Sequence, residues 1–161
     1  MKKKQQKNIA WLVGLLILTV GGGILFVGAA SGWFDDGRAK LDAEYYDEGA
    51  ELVKLSAGEY EELAEAGKSF VVFVDQNGCT TADRLRGYIK QYMAEKGILV
   101  YQMMFGEVKK TTLHEQVKYY PSVAIVSRGR VVAYLKADSD EDADIYNDYE
   151  AFRGWMGKYL R

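Results

Sequence analysis

The chain is short of the residues that usually carry chemistry or rigidity. Its 161 residues include one cysteine (Cys79), one proline (Pro121) and one histidine (His114). A single cysteine excludes an intramolecular disulfide and a multi-thiolate zinc site, and with one histidine a nitrogen–sulfur metal centre goes too. No phosphate-cradling glycine loop, serine-hydrolase elbow or internal repeat is present, and no cofactor is expected. Acidic residues are missing from the first part of the chain, since none precedes Asp35.

What is present is apolar enough for a core. Hydrophobic residues make up 48% of the chain and aromatics 13%, and the 17 glycines follow no period, which excludes collagen-like and wholly disordered classes. Charge is unevenly placed. Lys2, Lys3, Lys4 and Lys7 are four of the 21 basic residues, so the part from Asp35 onward carries 17 basic against 23 acidic side chains, a net of -6. Such a domain repels phosphate backbones, so no nucleic-acid partner is expected.

Ile9 to Ala30 is a 22-residue stretch without a charge. As a helix it would rise about 33 Å, enough for a hydrocarbon core of about 30 Å. Trp11 near one end and Trp33 with Phe34 beyond the other suit the headgroup region, and lysines before the span place the N-terminus in the cytoplasm. The other reading is a signal peptide cut after Val27-Gly28-Ala29. An uncleaved anchor is preferred because the apolar core exceeds the roughly 7–15 residues of a signal sequence. The expected organisation is a basic N-terminus (1–8), a transmembrane helix in contact with lipid (9–30), an acidic linker (31–50) and an extracytoplasmic domain (51–161).

Within that domain a short strand is expected in Glu51–Leu55. Ser56-Ala57-Gly58-Glu59 reads as a capping box opening a helix that ends near Gly67. Phe70–Val74 is a continuous β-prone run, hence a buried strand. After Cys79, Leu85, Tyr88, Ile89, Tyr92 and Met93 recur with helical spacing up to Gly97. A strand over Ile98–Met103, a short helix over Lys110–Tyr119, a hairpin of Ser122–Val126 with Val131–Leu135, and a closing helix from about Asn147 complete the order. The fold class is α/β: a three-layer sandwich with a mixed central sheet and helices on both faces, preceded by one transmembrane helix.

Cys79 between a buried strand and a long helix, Pro121 42 residues later just before a strand, and Gly129 eight residues beyond it in a hairpin turn resemble the thioredoxin family. The likeness spans about Leu52 to Leu160, with Tyr120-Pro121-Ser122-Val123-Ala124-Ile125-Val126 as its strongest segment. It implies a cis-proline facing the first active-site cysteine, and a groove formed by Gly78, Thr80, Thr81, Ala82, Tyr120 and Pro121. The departures are specific. Ala82 stands where that family keeps its second cysteine, Gly78 where it has an aromatic residue, Phe73 where it has a buried carboxylate, and Gly87 where it has a helix-kinking proline.

Cys79 is therefore the candidate nucleophile. At a helix start its thiolate is favoured by the dipole and by free backbone N–H groups, with Arg84 and Arg86 within two turns. Without a resolving cysteine, exchange needs a monothiol route in which another thiol releases the product. The alternative is a fold that binds a protein or peptide without chemistry. A lone thiol in an oxidising compartment also has a route to a disulfide-linked dimer. Asp138, Asp140 and Asp142 form a weak calcium candidate, because Ala143 and Tyr149 occupy positions where a calcium loop needs glycine and glutamate. The plainer reading of these acids is a solvated loop. His114 is expected on the surface of its short helix, and Tyr119 and Tyr120 at the rim of the groove. The combined expectation is a single-pass, thioredoxin-like protein of a bacterial cell membrane.

Overall fold

The computed structural model describes residues 37–46 and 51–161. The stretches 1–8 and 9–30, expected to be a cytoplasmic tail and a membrane helix, lie outside the described residues. Among the described residues no helix is long and apolar enough to cross a membrane.

The sheet is built around one strand. Phe70–Asp75 (β2) is β-branched or aromatic at five of six positions, and all six are buried. It pairs in parallel with Tyr101–Met104 (β3), Val72 opposite Tyr101, and antiparallel with Ser122–Ser127 (β4), Val72 opposite Ala124. Two edge strands complete the order β1-β3-β2-β4-β5: Val53–Lys54 (β1), parallel to β3, and Arg130–Tyr134 (β5), antiparallel to β4. The hairpin turn between β4 and β5 has Arg128 at φ 51° and Gly129 at φ 74°, as a two-residue type I′ turn requires. Gly129 is also held by space: a Cβ there would lie 2.0 Å from the Ala64 carbonyl oxygen.

Strand alternation decides which helix covers which face. Phe70 points to one side, where its ring meets Tyr45, Tyr60 and Tyr101 at centroid distances of 5.8–6.2 Å. Tyr60 belongs to Ala57–Glu65 (α1), which opens with the expected capping box of Ser56 and Glu59. Phe73 points to the other side, beneath Thr80–Lys96 (α2). On α2 the buried positions Ala82, Leu85, Ile89, Tyr92 and Met93 form one stripe, and Tyr88 and Tyr92 pack on Phe152 of Tyr149–Tyr159 (α5). Asp148 caps α5 by accepting the Ala151 N–H at 2.8 Å.

Three expectations are corrected. The stretch 31–50 was expected to be a linker with a helical turn around Ala39 to Tyr46 as its one element; a 3-10 turn does form at Ala43–Tyr45, but the compact unit already begins at Arg38. Ala39, Leu41 and Tyr45 are buried, Ala39 bridges to Leu160, and Tyr46 bridges to Ile98. The apolar residues responsible are sparse and interleaved with charges, so they show no period. The helix expected over Lys110–Tyr119 is a four-residue turn of α-helix, Phe105–Val108 (α3), then a 3-10 turn at Thr112–Glu115. The Thr111 hydroxyl donates to the Val108 carbonyl at 2.7 Å and breaks the run, while Leu113 and Val117 still reach the core. The segment expected as an acidic loop holds a 3-10 turn at Asp140–Asp142 and a short helix, Ala143–Asn147 (α4).

Candidate functional site

Cys79 is the residue at which the chain leaves the turn after β2 and enters α2. Its backbone is extended (φ -107°, ψ 117°), it stands at the N-cap, and its side chain makes no capping hydrogen bond. Gly78 before it adopts φ 71° with open space around the position, so the requirement there is backbone freedom rather than room. An aromatic side chain at 78 would be strained in this turn. The Cys79 thiol is half-buried.

Pro121, remote in sequence, comes to the same place. The peptide Tyr120–Pro121 is cis, and Pro121 opens the strand next to β2 in the sheet. Cys79, Thr81, Tyr120 and Pro121 line one cleft of about 390 Å³ together with residues of the stretch from Ala137 to Asn147. Of the other expected groove residues, Gly78 and Thr80 are exposed outside this lining, and Ala82 is fully buried in the core. The position where a second thiol would be needed therefore faces inward as a methyl group.

The charges around α2 are already committed. Arg86 stacks over the Phe73 ring at 5.9 Å and donates to both oxygens of Asp75 at 2.8 Å and to Asp83 at 2.6 Å. Those hydrogen bonds, to Asp75 first and Asp83 second, push the guanidinium further above its ordinary range. Arg84 reaches the opposite way, donating to the Tyr146 carbonyl at 3.4 Å and to the Asn147 side chain. Asp75 was not foreseen. It is 1% exposed, sits two residues beyond Phe73 on the same strand face, and also accepts from the Gln76 N–H at 2.8 Å and from Gln102. A carboxylate is thus buried near the cysteine turn, shifted by one strand repeat and neutralised by arginine. The signal was present as an Asp at the end of an apolar run, but it read as the first residue of a turn.

His114 is half-buried rather than on the surface. Its Nδ1 lies 2.8 Å from Tyr120 Oη in a hydrogen bond, with the two rings stacked at 6.5 Å. Phe105 also packs on Tyr120, at 6.1 Å between ring centroids. Burial raises the Tyr120 phenol above its ordinary value. Tyr119 does not reach the Cys79 cleft; it is 58% exposed and borders a separate cavity of about 150 Å³. Asp138, Asp140 and Asp142 do not form the weak calcium site considered for them. Asp142 accepts the Lys136 N–H at 2.7 Å, and among the described residues no group of three or more His, Cys, Asp or Glu is placed to hold a metal ion. A larger cavity, about 660 Å³, opens past the ends of β1 and β3 between Lys54, Ser56, Glu59, Asn77, Gln102 and Glu107. It does not include Cys79.

A strand–turn–helix bearing a cysteine opposite a cis-proline, on a sheet ordered β1-β3-β2-β4-β5, defines a thioredoxin fold. No family model matches the chain. Among solved structures it is similar to oxidised thioredoxin from Plasmodium falciparum, at 15% identity over 68% of this chain and 98% of that one, with a TM-score of 0.52. It is similar also to a mutant thioredoxin from Halobacterium salinarum (12% identity, 70% and 93% covered, TM-score 0.53). The oxidised form of mitochondrial thioredoxin 3 from Saccharomyces cerevisiae aligns at 10% identity over 66% and 93%, TM-score 0.51. Identities this low establish the fold.

Proposed function

We propose that this protein is a membrane-anchored, extracytoplasmic thioredoxin-like protein of a bacterial cell, in which Cys79 takes part in thiol–disulfide exchange by a monothiol route. The observation that carries the reading is the shared cleft of Cys79 and cis-Pro121. The Cys79 thiolate attacks one sulfur of a partner disulfide, a new S–S bond forms to Cys79, and the other partner sulfur leaves as a thiolate. A low-molecular-weight thiol then attacks the mixed disulfide and returns Cys79 as thiolate, the step for which Ala82 offers no sulfur. Tyr120 and Pro121 supply the surface along which an extended partner lies. Ile9–Ala30 holds the domain at the outer face of the membrane.

One observation favours a second reading, a binding module without chemistry. The buried carboxylate near the cysteine turn is locked to Arg86, which leaves no free base there to relay a proton. Mass spectrometry of the full-length protein in detergent after exposure to a small disulfide separates the two. Exchange predicts a mixed disulfide on Cys79 that added thiol removes, and none with Cys79→Ser. A binding module predicts that partners captured by the protein persist through reducing washes and survive Cys79→Ser. Retention of the protein in membranes after alkaline carbonate, with the domain open to protease on intact cells, tests the anchor and its orientation.

A further inference from the structure

The cleft has a third wall, and that wall comes from one segment. Besides Cys79 and Thr81 at the start of α2 and Tyr120 with Pro121 before β4, the rest of the lining comes from the stretch between Ala137 and Asn147. The segment is fixed at both ends. At its start the Asp142 carboxylate accepts the Lys136 N–H at 2.7 Å. At its end Tyr146 is 6% exposed, and its hydroxyl donates to the Pro121 carbonyl at 2.9 Å, the proline of the cleft itself. Arg84 of α2 holds the Tyr146 carbonyl and the Asn147 side chain, and Asn147 donates to the Ala143 carbonyl at 2.8 Å. The wall is thus tied to both the helix of Cys79 and the strand of Pro121. The charged residues among those lining the cleft are Asp138 and Asp140, without a lysine or arginine.

We infer that the segment Ala137–Asn147 selects what reaches Cys79, admitting a disulfide carried on a slender, positively charged chain and turning away disulfides on folded surfaces or flanked by carboxylates. The inference rests on the exchange reading of Cys79 and adds the substrate class. About 390 Å³ lies near the small end of the roughly 300–1,000 Å³ of small-ligand sites, space enough for a linear aminothiol or an extended basic segment. Two carboxylates at the wall raise the local concentration of cations and repel anions.

The test uses full-length protein in detergent at low ionic strength, with every rate divided by that of a free reference thiol. The probes are cystamine, dithiodiglycolate, a short cystine peptide flanked by lysines, and a folded carrier protein bearing a cysteamine mixed disulfide. Cystamine and the lysine peptide are expected to modify Cys79 about tenfold faster than dithiodiglycolate, with the folded carrier slowest. Which of the two cationic probes leads distinguishes a free aminothiol from a peptide source. Asp138→Asn with Asp140→Asn removes the difference between cationic and anionic probes. Tyr146→Phe, which keeps the ring and loses the bond to Pro121, narrows the gap between the folded carrier and cystamine. Equal rates for cystamine and dithiodiglycolate, or discrimination that survives the double substitution, overturns the inference. Should no disulfide react, the exchange reading fails, and the wall is judged by alkylation alone. Bromoethylamine must then outpace iodoacetate, and equal normalised rates sink the wall as well.

Discussion

Two helices begin at the same end of the sheet, each following a parallel strand, and they begin differently. α1 starts at Ser56 with both halves of a capping box: the Ser56 hydroxyl accepts the Glu59 N–H, and the Glu59 carboxylate accepts the Ser56 N–H at 2.8 Å and its hydroxyl at 2.6 Å. α2 is nearly twice as long, 17 residues against 9, and starts at Cys79 with no side-chain cap at all. Any of the usual capping residues at position 79 would satisfy a first-turn N–H. The chain instead places a poor cap there, and leaves that end of the helix facing the cleft with Pro121. Stability at this junction is supplied from below, by the Asp75–Arg86 pair that ties the end of β2 to the second turn of α2. One start is built to hold; the other keeps a sulfur where a capping oxygen would sit.

The largest effect should come from breaking that substitute support. Asp75→Asn removes the anion from a carboxylate that is 1% exposed and leaves Arg86 facing a neutral amide. Breaking a fully buried pair costs about 3–5 kcal/mol; the Arg86 side chain is 28% exposed, so solvent screening lowers the expected loss to about 2–3 kcal/mol. Urea denaturation of the variant measures it. A loss below about 1 kcal/mol would mean that the uncapped junction is held by packing alone.

The comparison also marks where the sequence was readable. α1 and its capping box, β2, and the stripe on α2 follow from local spacing, and local spacing is visible in a string of letters. Cys79 and Pro121 were paired through resemblance, and the cleft does bring them together. What escaped depends on contacts between distant residues. Asp75 and Arg86 are separated by a turn and two helical turns, and neither looks unusual alone. Tyr146 reads as one more tyrosine beside a run of carboxylates until Pro121 is placed against it. Ala39, Leu41 and Tyr45 acquire meaning only when Leu160 at the end of α5 and the chain at Ile98 lie beside them. Ala82, expected in the groove, turns inward because its spacing of three from Leu85 puts it on the buried stripe.

Next in size is removal of the cap that exists. Ser56→Ala eliminates one partner of the box, and the cost typical of such a loss is about 1 kcal/mol, read as a fall in the urea midpoint at unchanged slope. Supplying the missing cap runs the other way. Cys79→Ser keeps the size of the side chain and offers an oxygen to the first turn of α2, so stability should rise by about 0.5–1 kcal/mol while mixed-disulfide formation disappears. An unchanged or lowered midpoint in Cys79→Ser would show that the sulfur is not standing in place of a cap. The contrast between the two junctions would then lose its functional content.

The smallest effect is a pH dependence confined to α1. Hydrogen bonds from the Ser56 side chain, and then from its backbone N–H, hold the Glu59 carboxyl below the usual carboxylate range. A carboxylate whose folded value is depressed stabilises the fold above its unfolded value and loses that contribution as pH falls through the folded one. Acidification from neutral pH should therefore weaken α1 through Glu59, and Ser56→Ala should flatten much of that part of the profile, because the larger of the two bonds that depress the carboxyl is gone while the backbone N–H at position 56 remains. Thermal melts of both proteins between pH 7 and pH 3 give the difference curve, in which only the Ser56–Glu59 contribution changes. Cys79→Ser provides the control from the other junction. Its new hydroxyl has no carboxylate to answer it at the third helical position, where Ala82 stands, so its stabilisation should persist unchanged across the same acid range. A Cys79→Ser gain that vanished with acid would couple the new hydroxyl to the carboxylate that the first turn of α2 does carry, Asp83, and the two helix starts would be more alike than their capping makes them.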